Sequence, residues 1–253
     1  MLDPTKRFLT RVENYVRFRP DYPETLLPLL EEHGTLRPGD SVADLGFGTG
    51  KLALQFLQRG YRVLAVEPNA AMREAGRRLA ADERCTVVDG TAEATGLPDT
   101  SVGLAAAAQA FHWFDLEPTL VELKRILKLG GRVALIWNVR DTGHNRFMTE
   151  YEELLQQYGT DYHNVGAHGV DGDARRRLFG PERGKFHRLA NEQRLDRDGL
   201  IGRVLSASYT PEPGCAGHPE MIEALDGLFR AHELNGEVVL RYRTEVYHGS
   251  FTS

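Results

Sequence analysis

The apolar run Val42-Ala43 meets an acid at Asp44. The chain then passes through Leu45-Gly46-Phe47-Gly48-Thr49-Gly50 into the helix-like stretch Lys51-Leu52-Ala53-Leu54-Gln55-Phe56-Leu57. Glycine tolerates positive φ and lets a ligand come close to the backbone. A helix start adds N–H groups with no partner inside the helix. Such a turn suits a nucleotide-like ligand, and the spacing narrows the choice. The dinucleotide fingerprint G-x-G-x-x-G needs glycine where Lys51 stands. The phosphate loop G-x-x-x-x-G-K-[ST] needs glycine at Leu45 and Ser or Thr at Leu52. What remains is D-x-G-x-G-x-G, built on Asp44, Gly46, Gly48 and Gly50; taken alone, a ligand-free Gly-rich turn is its other reading. A second acid, Glu67, ends the apolar run that follows, where it can accept from both hydroxyls of a ribose.

Further along, His112 stands in Phe111-His112-Trp113-Phe114. Its ordinary pKa near 6.5 makes it the candidate catalytic base; packing inside the aromatic cluster is the alternative. Trp113 is the candidate for a substrate pocket, because an indole both stacks and donates. Near the N-terminus Tyr15, Arg19 and Tyr22 could meet an aromatic or carboxylate group of a substrate. They could equally close over the ligand of the glycine turn.

The elements that must position these residues alternate. Strands are expected at Ser41–Leu45, Arg62–Val66, Arg84–Val88, Val102–Ala107 and Arg132–Asn138. Helices are expected at Thr49–Arg59, from the cap Asn69 to Ala81, and from the cap Asp115 to Leu129, where Gly130-Gly131 break the last. Such alternation builds a parallel sheet covered by helices. Before it, a helix opening at Asp3-Pro4 carries Phe8, Val12 and Tyr15 at helical spacing, and a second helix covers Glu24–Glu32. The pair could form a lid or simply close one sheet face. After it, helices are expected at Asn145–Tyr158, Leu200–Ser206 and Glu220–His232. A strand is expected at Lys185–Leu189, and Val238–Phe251 should return to the sheet.

Composition bounds the rest. The chain has 253 residues, 41% of them apolar and 26% charged, which suits an ordinary globular protein. A formal net charge of −5 without a long basic stripe argues against a nucleic-acid partner. No apolar run is long enough for a bilayer. Lys6 and Arg7 are not followed by an apolar stretch, so no secretory signal and a cytoplasmic location are expected. Cys85 and Cys215 then read as free thiols in a reducing compartment. No metal site is expected: the histidines lack an H-E-x-x-H pattern, and His163 and His168 fall in an expected loop without nearby cysteines.

The pattern resembles the methyltransferase-11 group of class I S-adenosylmethionine-dependent methyltransferases, of the trans-aconitate methyltransferase type. Asp44–Gly50 looks like motif I; the cofactor has no phosphate to grip, and its ammonium suits Asp44. Val66-Glu67-Pro68-Asn69-Ala70-Ala71-Met72 looks like the segment holding ribose and covering adenine. Gly90-Thr91-Ala92-Glu93 looks like the loop that reads the adenine edge. Gln109–Asp115 is similar to the segment near the transferable methyl. Leu123–Arg132 is similar to the helix, Gly-Gly and strand 5 motif. Tyr15–Pro23 resembles the N-terminal lid, and Tyr242–Tyr247 the final strand. The resemblance implies a Rossmann-like α/β fold, doubly wound around a mostly parallel seven-stranded sheet. It implies a helical lid over residues 1–40, a cofactor core over 41–139, and a remainder, 140–253, completing the sheet and the substrate pocket within one structural domain. It also implies S-adenosyl-L-methionine as cofactor, with Asp44, Gly46, Gly48, Gly50, Glu67, Pro68, Met72, Thr91, Ala92, Glu93 and Gln109 around it. The acceptor expected is a small molecule with a carboxylate or hydroxyl group; a non-catalytic cofactor-binding module is the other reading. Two positions depart from the group's pattern. Phe47 replaces a small residue or Cys, and Thr91 replaces an Asp that would accept from the adenine amino group.

Overall fold

Apolar runs of about five residues, too short for helices and bounded by glycine or polar turns, become strands, buried on both faces except at the sheet edge, where Cys85–Val88 is only half-buried. In the computed structural model, which describes residues 12–160, 171–182 and 184–252, these are β1 (Ser41–Leu45), β2 (Arg62–Val66), β3 (Cys85–Val88) and β4 (Val102–Ala108). The longer β5 (Leu127–Arg140), β6 (Lys185–Leu195) and β7 (Val238–Ser250) complete one seven-stranded sheet in the order β3-β2-β1-β4-β5-β7-β6. Strands β1 to β5 run parallel, and β7 is antiparallel to both neighbours. Strand order reverses between β1 and β4, so a crevice opens beyond their carboxyl ends.

Helices cover both faces. On one side α2 (Leu26–Glu32) and α3 (Lys51–Gln58) bury Leu26, Leu30, Leu52 and Phe56 against β1, β2 and β4. On the other, α5 (Leu116–Ile126) and α7 (Gly172–Phe179) bury Leu123, Ile126, Leu178 and Phe179 against β4 and β5. A third apolar cluster joins α6 (Arg146–Tyr158), α8 (Arg197–Leu205) and α9 (His218–His232) to the start of β7 through Tyr151, Leu200, Val204, Leu225 and Leu240. Helix α4 (Ala70–Leu79) follows β2, and α1 (Val12–Phe18) precedes α2. No helix among the described residues is long and apolar enough to cross a membrane.

The differences from the sequence expectations have local causes. The helix expected to reach Leu129 ends at Ile126, because Leu127 is buried and pairs with Val102 in the sheet. Register then jumps, so that Leu104 pairs with Arg132, and the skipped residues bulge out with Leu129 fully exposed. Strand β6 runs to Leu195 rather than Leu189 because it pairs with β7 along its whole length. Its charged edge residues hide that strand from a hydrophobicity pattern. Asp115 holds the N-cap position of α5, but its side chain makes no capping bond. Its backbone N–H donates instead to Glu93 Oε1 at 2.9 Å. The helix expected from Asp3 is described only from Val12; its start, His163 and His168 lie outside the described residues. Neither cysteine is in a disulfide, and Cys215 is exposed.

Phe47, the bulky residue of the glycine turn, is 4% exposed. Its ring fits a notch that only glycine leaves open: a Cβ on Gly76 of α4 would stand 2.1 Å from it. Gly76→Ala is therefore expected to overpack this contact and lower stability by about 1–3 kcal/mol in urea unfolding. Adding Phe47→Leu should recover part of that loss. A Gly76→Ala protein as stable as the wild type would remove the fit between loop and helix.

Candidate active site

The glycine turn is anchored before any side chain acts. Gly46 and Phe47 donate their N–H groups to Val66 O at 2.9 and 3.0 Å. Glu67, only 8% exposed, sits at the end of β2 and accepts from Gly48 N at Oε2 and from Asn69 N at Oε1, both at 2.9 Å. Arg73 donates to Glu67 O and Pro68 O at 2.8 and 2.7 Å, fixing the turn from behind. Asn69 Oδ1 accepts from Met72 N at 3.0 Å and so caps α4. One carboxylate thus joins the loops after β1 and β2. Burial pushes its pKa up, against the pull of the two backbone N–H groups.

Two connected chambers lie over this platform. The larger, about 260 Å3, is walled by Glu67, Pro68, Asn69, Met72, Thr91, Ala92, Glu93 and Phe114. The second, about 130 Å3, is walled by Asp44, Thr49, Tyr22, His112, Asn138 and a group of arginines. Both share Tyr15, Gly46, Gly48, Ala108, Gln109 and Trp113, which form the neck between them. Gln109 has φ +56, an uncommon conformation for a residue with a side chain. It is held there by Gln109 N donating to Ile136 O at 2.9 Å and Gln109 Nε2 donating to Asn138 O at 3.1 Å. This bend after β4 turns Phe111–Trp113, a short 3-10 helix, toward the crevice.

The second chamber holds the stronger electrostatics. Asp44 is 1% exposed, and its Oδ2 is buried without a hydrogen-bond partner. Burial first, and the charge of Glu67 second, push its pKa up to about 7. His112 Nδ1 accepts from Trp137 Nε1 at a long 3.4 Å. Burial raises Tyr22 well above its ordinary range.

The segment bearing Tyr15, Arg19 and Tyr22 is pinned over the second chamber by bonds to several elements. Lys51 Nζ, at the start of α3, pairs with Asp21 Oδ1 at 2.6 Å. Gln55 Nε2 donates to Tyr22 O at 2.6 Å, Asn191 Nδ2 to Asp21 O at 2.8 Å and Gln193 Nε2 to Phe18 O at 2.9 Å. Phe18 sits in a notch at Gly202 of α8, where a Cβ would stand 2.2 Å from its ring.

Of the residues singled out from sequence, all but one line these chambers. Gly50 lines neither; at φ +87 it caps α3, and a Cβ there would stand 2.9 Å from the Phe47 ring. Sequence reasoning missed Asn138, Arg140, Arg203, Ser208 and Tyr209. Arg203 left one signal, a cation among Leu200, Ile201, Val204 and Leu205 on a short helix.

A seven-stranded sheet with β7 antiparallel, and a glycine turn and an acid at its switch point, defines the class I S-adenosylmethionine-dependent methyltransferases. Comparisons with known proteins agree. A family described as "Methyltransferase domain" matches residues 43–135. Uncharacterized methyltransferases of Mycobacterium bovis and Mycobacterium tuberculosis are each 40% identical over 211 residues, 82% of this chain and 79% of theirs. A solved structure from Anaeromyxobacter dehalogenans, described as a candidate type II methyltransferase, superposes with a TM-score of 0.58 at 27% identity, covering 92% of this chain and 98% of that one. The chain belongs to this methyltransferase family: it is an enzyme, and its cofactor is S-adenosyl-L-methionine.

The buried acid yields a test without any ligand. Asp44 titrates near 3.8 unfolded and near 7 folded, so between those values the folded state binds the extra proton. Its contribution to stability is therefore lost as pH rises from about 4 to about 7. Asp44→Asn should raise the thermal midpoint of the apo protein at pH 8 and change it little at pH 4. The gain should be on the order of 1–4 kcal/mol. An equal effect at both pH values would mean that Asp44 is not held neutral by burial.

Proposed function

We propose that this enzyme transfers the methyl group to a small-molecule acceptor through a carboxylate or hydroxyl oxygen. The cofactor's nucleoside would lie in the larger chamber and the acceptor in the second. The observation that carries this reading is the shared neck at Gly46, Gly48, Gln109 and Trp113, which joins a chamber suited to a nucleoside with a polar, lidded one. The residues fit the cofactor. Asp44 Oδ2 lacks a partner and suits its ammonium. Glu67 uses one lone pair of each oxygen on the backbone, leaving others for the ribose hydroxyls. A Cβ on Gly48 would meet nothing nearer than Gly46 O at 3.8 Å, so the space beside it is open. Pro68, Met72, Thr91, Ala92 and Glu93 would surround the base.

When bound, S-adenosylmethionine supplies a methyl activated by its sulfonium; the acceptor oxygen forms the new C–O bond while the C–S pair stays on sulfur. The chain's part is alignment and exclusion of water. Trp113 and Gln109 would shape the neck, and Tyr15 and Tyr22 would close it. A carboxylate acceptor is already ionised and needs no base; a hydroxyl would give its proton up as the C–O bond forms. With Nδ1 accepting from Trp137, a neutral His112 carries its proton on Nε2. That tautomer donates a hydrogen bond, which favours orienting an acceptor oxygen over removing a proton.

Calorimetry with S-adenosylhomocysteine, NAD and ATP, followed by labelled-methyl transfer across a small-molecule library, tests the reading. Binding should be confined to the first ligand, and label should enter small molecules. Label appearing only in protein or nucleic acid would overturn the acceptor class. Glu67→Gln should weaken S-adenosylhomocysteine by about tenfold or more, the scale of one charged hydrogen bond; unchanged affinity would leave Glu67 a purely structural tie. Once an acceptor is known, His112→Ala should act mainly on KM. A loss in kcat of about 10²–10⁴ would instead identify His112 as a general base.

A further inference from the structure

One end of the second chamber is more positively charged than its surroundings explain. Arg19, from the segment after α1, and Arg203, from α8, both line it. Both guanidinium groups reach the same residue. Arg19 Nη2 donates to Ser206 O at 3.0 Å, and Arg203 Nη1 donates to Ser206 Oγ at 3.4 Å. Arg203 is 3% exposed, and its Nε donates to Tyr242 Oη at 3.2 Å. Arg19 Nε is buried with no hydrogen-bond partner. All these acceptors are neutral oxygens. Among the described residues no carboxylate lies within ion-pair distance of either arginine. The nearby Arg140 is already matched by Glu152 at 2.8 Å. The pKa of Arg19 is lowered, by burial first and by Arg203 second.

A buried Arg203 beside a half-buried Arg19, with no counter-anion among the described residues, is a costly arrangement for a protein without a ligand. Their planar forks match a carboxylate or phosphate in two-point pairing. Tyr151, whose buried hydroxyl has no partner, stands in the electrostatic range of Arg203 and adds a phenol to the same region. Neither arginine lines the larger chamber.

We propose that the methyl acceptor carries an anionic group, a carboxylate or a phosphate, that is received jointly by Arg19 and Arg203. This rests on the placement of cofactor and acceptor given above. It goes further in assigning the acceptor's charge and the residues that recognise it. Because Arg19 belongs to the segment that covers the chamber and Arg203 to the body, the anion removes a repulsion between them. Acceptor binding therefore also holds the cover closed. The segment stays hinged to the body by its backbone bonds to Asn191 and Gln193.

The test uses the full chain saturated with S-adenosylhomocysteine. Inorganic phosphate, succinate and neutral succinamide are titrated by calorimetry and by thermal shift. At least one of the two anions should bind and raise the midpoint by several degrees, and succinamide should do neither. Binding of phosphate alone assigns a phosphorylated acceptor, and binding of succinate alone a carboxylate. Arg19→Gln should weaken the anion at least tenfold and leave S-adenosylhomocysteine within twofold. Any general stabilisation by excluded salt persists in that variant, which separates it from site binding. Arg203→Lys, which keeps the buried charge but not the fork, should show the same pattern; it serves if Arg203→Gln does not fold. Wild-type protein that binds S-adenosylhomocysteine but neither anion overturns this inference and leaves the methyltransferase reading intact. Wild-type protein that fails to bind S-adenosylhomocysteine overturns the reading itself. Loss of S-adenosylhomocysteine affinity in both arginine variants would give the pair to the cofactor's own carboxylate and overturn the proposal.

Discussion

The carboxylate of Glu67 is the tie on which the site depends. Its two oxygens accept from Gly48 N and Asn69 N, so the loops leaving β1 and β2 are set against each other by one side chain. Hydrogen bonds to a charged group are worth about 1.5–3 kcal/mol each, more than a neutral pair. Without them the two loops would be joined mainly through Val66 O, which accepts from Gly46 N and Phe47 N. The same two loops carry Asn69, which caps α4, and Phe47, which sits beside Gly76. The acid is thus structural toward the backbone and still able to accept from a ligand on its remaining lone pairs.

Around this tie the protein carries charges in places that burial disfavours. Asp44 is held near neutrality beside Glu67, and Arg19 and Arg203 share one end of the second chamber. Gln109, which borders both chambers, sits at positive φ. Costs of this kind collect where a structure is arranged for something besides its own stability. Here the acid lies by the glycine turn and the cations by α8, with the neck at Gln109 and Trp113 bordering the same space. The segment over the second chamber is held both by side-chain amides donating to its backbone carbonyls and by its own side chains, Phe18 in the Gly202 notch and Asp21 paired with Lys51.

Some residues explain why parts of this were readable and parts were not. Asp44, the glycines and Glu67 are adjacent to the ends of short apolar strands, so local pattern alone locates them. The alternation of five strands with helices predicts a parallel sheet, because runs buried on both faces have no amphipathic period. The bulge at Lys128–Gly131 was hidden, since a Gly-Gly pair reads as a helix stop whether or not the helix has already ended. Strand β6 reads as shorter than it is because its pairing with β7 is long-range and most of its exposed residues are charged. The arginine pair was not legible at all: Arg19 and Arg203 are far apart in the chain and meet only at Ser206.

By itself the sequence determined the kind of fold, the place of the glycine turn and the acids beside it, because these depend on periodicity and on chemistry at neighbouring positions. Only the tertiary structure decided which distant side chains share a chamber. It decided that Gly50 supports the turn without lining the site, that Lys51 pairs with Asp21 of the segment over the second chamber, and that Trp137 donates to His112 Nδ1. It also decided that two arginines lie together with no acid paired to either among the described residues. Burial and partner choice arise from packing between segments, and no local pattern of residue types records them.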